Sequence, residues 1–289
     1  MNENRHYLSP LFDPATVLVV SDADSGVDWF ARLVDDLRKA LGEVPVHRLP
    51  ATKAEPPREG SPSSSRSVGA SVPDRRPEGE RPPTVPARPS PFSSERRGRL
   101  AVIRVGDPAR IGEAIDLAAA EGANAAVALE TRCDAAQRAS WRERARGRGL
   151  RLLGPATLGF IRPGIGLNAG RLGPLPNAGN VALVSQSGAL AASIMDWSAG
   201  TLIGFSLVAS LGAEADVELP DVLDFLANDN RTKSGVVYLE AVHDARKFMS
   251  AMRALATVKP VVVLRGGRRA PAERRVRTHS GAIVGADAI

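Results

Sequence analysis

The chain has 289 residues, 43% of them hydrophobic and 24% charged, with 38 Lys and Arg against 32 Asp and Glu. That length accommodates two domains of roughly 100–200 residues each, and the composition is that of a globular protein. The net charge of +6 raises nucleic acid as a partner, but residues 51–99 carry +4 and residues 265–277 carry +5, so the remainder is slightly acidic. A basic face interleaved with aromatics is absent from the pattern, which speaks against nucleic acid. Cys133 is the single cysteine, which excludes an internal disulfide or a thiolate cluster. The histidines His6, His47, His243 and His279 lack metal-ligand spacing. No apolar run approaches the roughly 18–20 residues of a membrane helix, and the start MNENRHYLSP lacks a signal-peptide layout, so a cytoplasmic location is expected.

In chain order, Val17–Val20 reads as a buried strand, and the small polar stretch 21–26 as a turn. Residues 28–41 place apolar side chains at helical spacing, and a second strand is expected over 44–49. Residues 50–91 then hold eleven of the 22 prolines, among Ser and Arg, so 51–98 reads as a disordered insertion, either a bland surface loop or a docking or nucleic-acid arm. Order resumes with a strand at 100–105, a helix at 108–121, a strand at 125–129, a helix at 134–148 and a strand at 150–153. Strand alternating with helix implies a parallel, doubly wound α/β domain over roughly 10–160.

The Gly-, Pro- and Asn-rich stretch 162–179 reads as a linker. A second α/β unit then follows, with strands at 181–184, 204–210, 235–239 and 260–264. The helices between them are expected after Gly188, over 219–228 and over 243–256, and another is expected from about Gly281. Three places in this unit could carry chemistry. Ser185-Gln186-Ser187-Gly188 joins a strand to a helix, and helix N-termini attract phosphate, although a plain capped helix would look the same. Glu240 ends a strand at the edge where open α/β sheets bind ligands. His279, in Thr278-His279-Ser280-Gly281, is either a capping residue or a ligand, base or nucleophile.

Read together, VALVSQSGALAASIMDW, IGFSLVASLGAEADVELPDVLDFLAND, VVYLEAVHDARKFMSAMRALATVKPVVVLRGGR and THSGAIVGADA resemble the NDP-forming acyl-CoA synthetases. That family is related to the succinyl-CoA synthetase alpha subunit and to a module of bacterial lysine acetyltransferases. The likeness is dense over 179–289 and looser over 8–50 and 99–168. It implies a Rossmann-like CoA-binding domain over 8–168, followed by a flavodoxin-like ligase domain over 179–289.

In that resemblance His279 matches the transiently phosphorylated histidine, Glu240 its orienting carboxylate, and Ser185 to Gly188 the phosphate-binding turn. Gly154 and Pro155, with Ser21 and Gly26, fall where the family binds coenzyme A. The implied partners are a small carboxylic acid or acyl-CoA and an ATP-grasp subunit that supplies ATP or ADP with magnesium.

Several departures from the family pattern carry an alternative, a non-catalytic or regulatory CoA-binding module. The first turn, VVSDADSG, has one glycine and two aspartates, whose charge opposes a phosphate. The tract 51–98 replaces family sequence, and Ala156-Thr157 replace the usual Asn and Cys. The chain stops ten residues after His279, so the second domain is expected to be incomplete. Arg274, Arg275 and Arg277 stand where family members carry small residues, either as a solvated loop or as phosphate ligands.

Overall fold

The computed structural model describes residues 6–22, 28–50, 98–129 and 132–266, with the backbone of 276–277 and 283–284. The insertion expected at 51–98 lies, but for Gly98, outside the described residues. After a short helix α1 (Ser9–Phe12), the first unit runs β1 (Thr16–Ser21), α2 (Asp28–Leu41), β2 (Val46–Arg48), β3 (Arg99–Arg104), α3 (Ile111–Ala120), β4 (Ala123–Leu129), α4 (Ala135–Gly147) and β5 (Arg151–Thr157). Its five strands are ordered β2-β1-β3-β4-β5, and every pair is parallel.

The wrapping follows from side-chain alternation along buried strands. In β1, Val17 and Val19 pack with Phe30, Leu33 and Leu37 of α2. Leu18 and Val20 point the other way, toward Ile111 and Ile115 of α3. Helix α4 begins on a capping box: Asp134 Oδ1 accepts the Gln137 N–H at 2.8 Å, and Gln137 Oε1 accepts the Asp134 N–H at 3.0 Å. The expected doubly wound α/β domain is present.

The second sheet starts earlier than the sequence pattern implies. Strands β6 (Gly159–Arg162) and β7 (Leu167–Gly170) form an antiparallel hairpin, and β6 pairs antiparallel with β9 (Phe205–Ser210). Residues 159–162 and 167–170, expected at the end of the first domain and in the linker, therefore pair in the second sheet. Glycine accounts for the difference. A Cβ on Gly159 would lie 2.2 Å from Ala169 O, and one on Gly170 would lie 2.1 Å from Leu158 O. Here glycine permits close strand approach and, at Gly159, a left-handed φ of +87°.

The rest is β8 (Ala178–Ser185), α5 (Gly188–Ser198), α6 (Leu219–Asn228), β10 (Ser234–Leu239), α7 (Ala245–Val258) and β11 (Val261–Arg265), in the sheet order β11-β10-β8-β9-β6-β7. Strands β11, β10, β8 and β9 are parallel. The two-residue strands β12 (Val276–Arg277) and β13 (Ile283–Val284) pair antiparallel. A β-branched pair thus stands in a strand where a helix from Gly281 was expected.

The two units share one apolar cluster, in which Phe12 of α1 meets Phe160 of β6 and Phe225 of α6 at ring-centroid distances of 5.2 and 4.9 Å. Beneath it Arg162 is 2% exposed. It donates to both Asp229 oxygens at 2.8 and 2.9 Å, to Ser206 O at 3.0 Å and to Phe12 O at 3.2 Å. Burial works to raise the Asp229 carboxyl, but the Arg162 hydrogen bonds and charge, with the Thr232 hydroxyl, hold it below the usual range.

A backbone seam also joins the units. The N–H groups of Ala213, Ala215 and Val217 donate to Pro155 O, Gly154 O and Leu152 O at 2.7, 2.9 and 3.0 Å. These bonds tie a turn-and-bend segment of the second unit to the edge of β5. Beside the seam, the buried Asp216 carboxylate accepts from Arg146 Nε at 2.6 Å, Arg151 Nε at 2.7 Å and the Leu152 N–H at 3.0 Å.

Candidate functional site

Helix α5 starts immediately beyond β8, at the carboxyl edge of the second sheet. Ser187 caps it, its Oγ accepting the Leu190 N–H at 3.3 Å. Ser185 is fully buried; its hydroxyl donates to Ser187 O at 2.7 Å and accepts the Ser187 N–H at 3.1 Å. Both hydroxyls thus shape the turn. A Cβ on Gly188 would sit 3.0 Å from Leu158 Cγ and 3.3 Å from Ser210 Oγ, so glycine lets the helix start pack closely. The N–H groups at Gly188 and Ala189 open the helix, where amides lack intrahelical acceptors and the dipole is positive. An anion such as phosphate suits this end.

Gln186 is directed inward. Its Nε2 donates to Glu214 Oε1 at 2.6 Å and to Ala241 O at 2.9 Å. Its Oε1 accepts the N–H groups of Glu240 at 2.7 Å and Ala241 at 3.0 Å. A primary amide has two N–H donors and two acceptor lone pairs, so its hydrogen-bonding capacity is used. The side chain expected to meet phosphate therefore ties β8 to the segment after β10. The structure brings Glu240 to the same edge: Ser185 pairs with Tyr238, two residues before it.

Glu214 occupies the centre of this region and was not singled out from the sequence. Its backbone has φ of +50°, unusual for a residue with a side chain. Its Oε2 accepts the Leu219 N–H at 2.8 Å, at the start of α6. Burial pushes its carboxyl up to about 7 against the Leu219 and Gln186 hydrogen bonds, while Glu218 and Asp221 add in the same direction as burial. A cleft of about 270 Å³ opens beside it, lined by Arg138, Arg142, Ala215, Glu218 and His243 among others.

The positions expected to bind coenzyme A are placed as follows. Ser21 is buried at the end of β1, and its carbonyl accepts the Leu49 N–H at 2.8 Å. Gly26 lies outside the described residues. Next to Ser21, the Asp22 carboxylate accepts the Gly106 N–H at 2.7 Å and stands 3.6 Å from Arg104. An anionic side chain at this strand end does not suit a CoA phosphate. The carbonyls of Gly154 and Pro155 are the acceptors of the seam. Gly154 has φ of +92°, and a Cβ there would lie 2.7 Å from Ala128 O.

His279, Arg274 and Arg275 lie outside the described residues, as does the side chain of Arg277. Among the described residues, no group of three or more His, Cys, Asp or Glu is placed to hold a metal. Nor is any helix there long and apolar enough to cross a membrane.

An all-parallel α/β unit is thus followed by a mixed one that bears a capped helix N-terminus at the carboxyl edge of its sheet, an architecture like that of CoA-ligase alpha subunits. Residues 178–289 match the succinyl-CoA ligase like flavodoxin domain. The chain is 38% identical over 137 residues to acetate–CoA ligase (ADP-forming) I of Archaeoglobus fulgidus, a match covering 47% of this chain and 20% of that protein. It is 37% identical over 150 residues to the alpha subunit of acetate–CoA ligase (ADP-forming) I of Pyrococcus furiosus, covering 51% and 32%.

The solved dinucleotide-forming acetyl-coenzyme A synthetase 1 of Candidatus Korarchaeum cryptofilum, in complex with phosphate and ADP, superposes with a TM-score of 0.70 at 25% identity. That match covers 96% of this chain and 55% of the other. Over about half of its length the chain is similar to ADP-forming acetate–CoA ligases. Its matches span less than a third of those two curated relatives.

Proposed function

We infer that the chain is the alpha-type part of an ADP-forming acyl-CoA synthetase that passes a phosphoryl group through His279. The observation that carries this reading is that Gln186 ties the Glu240 main chain to the α5 turn, at the edge where a helix N-terminus is open to an anion. Neutral imidazole attacks the phosphorus of an acyl phosphate; the carboxylate leaves and phosphohistidine forms. Transfer to ADP restores the imidazole and yields ATP. Glu240 accepts the N–H of the second ring nitrogen, fixing the tautomer that attacks. The amides of Gly188 and Ala189 meet the phosphoryl oxygens, as preformed dipoles do without reorganising. A small carboxylic acid is the acyl group, and an ATP-grasp partner brings the nucleotide with magnesium.

The test is incubation of the full chain with [32P]acetyl phosphate. An acid-labile, alkali-stable label that is lost in His279→Asn is expected. No label on the wild type, when the Pyrococcus furiosus alpha subunit labels in parallel, would sink the reading. A second reading, a non-catalytic module, is favoured by the Asp22 carboxylate at the first strand end; a folded chain that takes no label would support it.

A further inference from the structure

We propose that Glu214 is a positioning residue: acting through Gln186, it fixes the Glu240–Ala241 peptide and so the place from which Glu240 is presented to the α5 turn. The argument starts from what a carboxylate and an amide can do. Ala241 O can only accept, so the Gln186 end bonded to it at 2.9 Å is the NH2 group, and Glu214 Oε1 accepts from the same end at 2.6 Å. That choice turns Gln186 Oε1 toward the Glu240 and Ala241 N–H groups, which need an acceptor. Reversing the amide would set oxygen against Glu214 Oε1 and Ala241 O, and NH2 against two N–H donors. Glu214 and Ala241 O thus lock the orientation, and the lock spans the ends of β8, β9 and β10.

The location argues against a purely structural carboxylate. Glu214 is 7% exposed, and its φ of +50° is one that glycine or asparagine adopts more readily. A residue selected for stability alone would be neither left-handed nor charged here. Backbone strain and buried charge gather where a site must hold a fixed geometry. Neighbouring Gly212 is also left-handed at φ +67°, and a Cβ there would lie 2.2 Å from Pro155 O. The loop is thereby pressed against the seam, which gives Glu214 a rigid base.

The inference deepens the phosphohistidine reading, and the test separates the two. Amide hydrogen exchange at Glu240 and Ala241 is measured in wild type, Glu214→Gly, Gln186→Ala and the double variant of the full chain. Glycine suits the left-handed backbone, so Glu214→Gly is expected to fold. Protection of both amides should fall at least tenfold in Glu214→Gly while amides of β1 and β3 keep theirs. The double variant should lose no more than Gln186→Ala, because both act along one path.

With [32P]acetyl phosphate, the labelling rate should fall at least tenfold in Glu214→Gly at unchanged half-saturation. Glu214→Asn, which tolerates the same backbone and keeps an acceptor, should recover part of both effects; it also replaces Glu214→Gly should that variant not fold. Unchanged protection of Glu240 and Ala241 in a folded variant overturns the proposal. Absence of label in the wild type overturns the function while the exchange result still decides the role of Glu214.

Discussion

Arg151 Nε lies 2.7 Å from the Asp216 carboxylate, across the seam between the two units. Asp216 has a fully buried side chain and also receives Arg146 Nε, whereas the Arg146 side chain is 57% exposed. Removing the acid strands a partly buried guanidinium and the Leu152 N–H. Asp216→Ala should therefore cost roughly 3 kcal/mol. Arg146→Ala should cost under about 1 kcal/mol, because exposed pairs contribute little. Urea unfolding followed by circular dichroism reads both, and equal losses would contradict this account.

Glu214 gives stability an unusual pH dependence. Burial raises its carboxyl from 4.5 to about 7 in the folded chain, so the native state holds a proton that the unfolded state has released. Stability should therefore fall as pH rises from about 4.5 to 7, by at most roughly 3 kcal/mol from this group. Asp221 and Asp229 work in the opposite sense. Their carboxyls are held below 3.8, so their contribution is present above that value and is lost on acidification. Subtracting urea midpoints of Glu214→Gly from those of wild type between about pH 5 and 8 isolates the effect. Parallel curves would rule it out.

Ser187 separates helix capping from anion binding. Ser187→Ala removes the oxygen that accepts the Leu190 N–H and should cost about 1 kcal/mol. Ser187→Asp keeps the acceptor and adds a charge that the dipole favours, so stability should hold or rise by a few tenths of a kcal/mol. The same charge repels phosphate. Inorganic phosphate should raise the Tm of wild type and leave that of Ser187→Asp unchanged; an equal rise in both would place the anion elsewhere.

At the first strand end, Asp22→Ser keeps an acceptor near the Gly106 N–H and removes a negative charge. A unit charge within about 4 Å of a phosphate costs on the order of 1–4 kcal/mol at a protein surface. Calorimetric titration should show coenzyme A binding the variant about tenfold more tightly than wild type. Equal affinities would mean that CoA phosphates do not approach this turn.

The alternation of strand and helix was legible because each element's period is written in neighbouring residues. The buried runs 17–20, 100–105 and 125–129 all proved to be strands, and the 219–228 helix was read to its last residue. The hairpin of β6 and β7 was not legible, because Gly159 and Gly170 serve a backbone across the ladder that the local sequence does not mention. The α5 turn stood out through its small polar residues, whereas the inward direction of Gln186 depends on Glu214 and Ala241, 28 and 55 positions away. Glu214 itself lies in the acidic run GAEADVELP, where nothing in the composition sets it apart from Asp216 or Glu218. Its one local signal was Gly212, a glycine two residues after a buried strand.

The seam at 213, 215 and 217 is made of main-chain groups alone. Every amino acid except proline carries the N–H that those bonds require. Side chains at the three positions can therefore drift as far as packing permits while the junction of the two sheets persists. Related chains could differ at these three positions and keep the joint, whereas a proline at Ala215 would remove its middle rung.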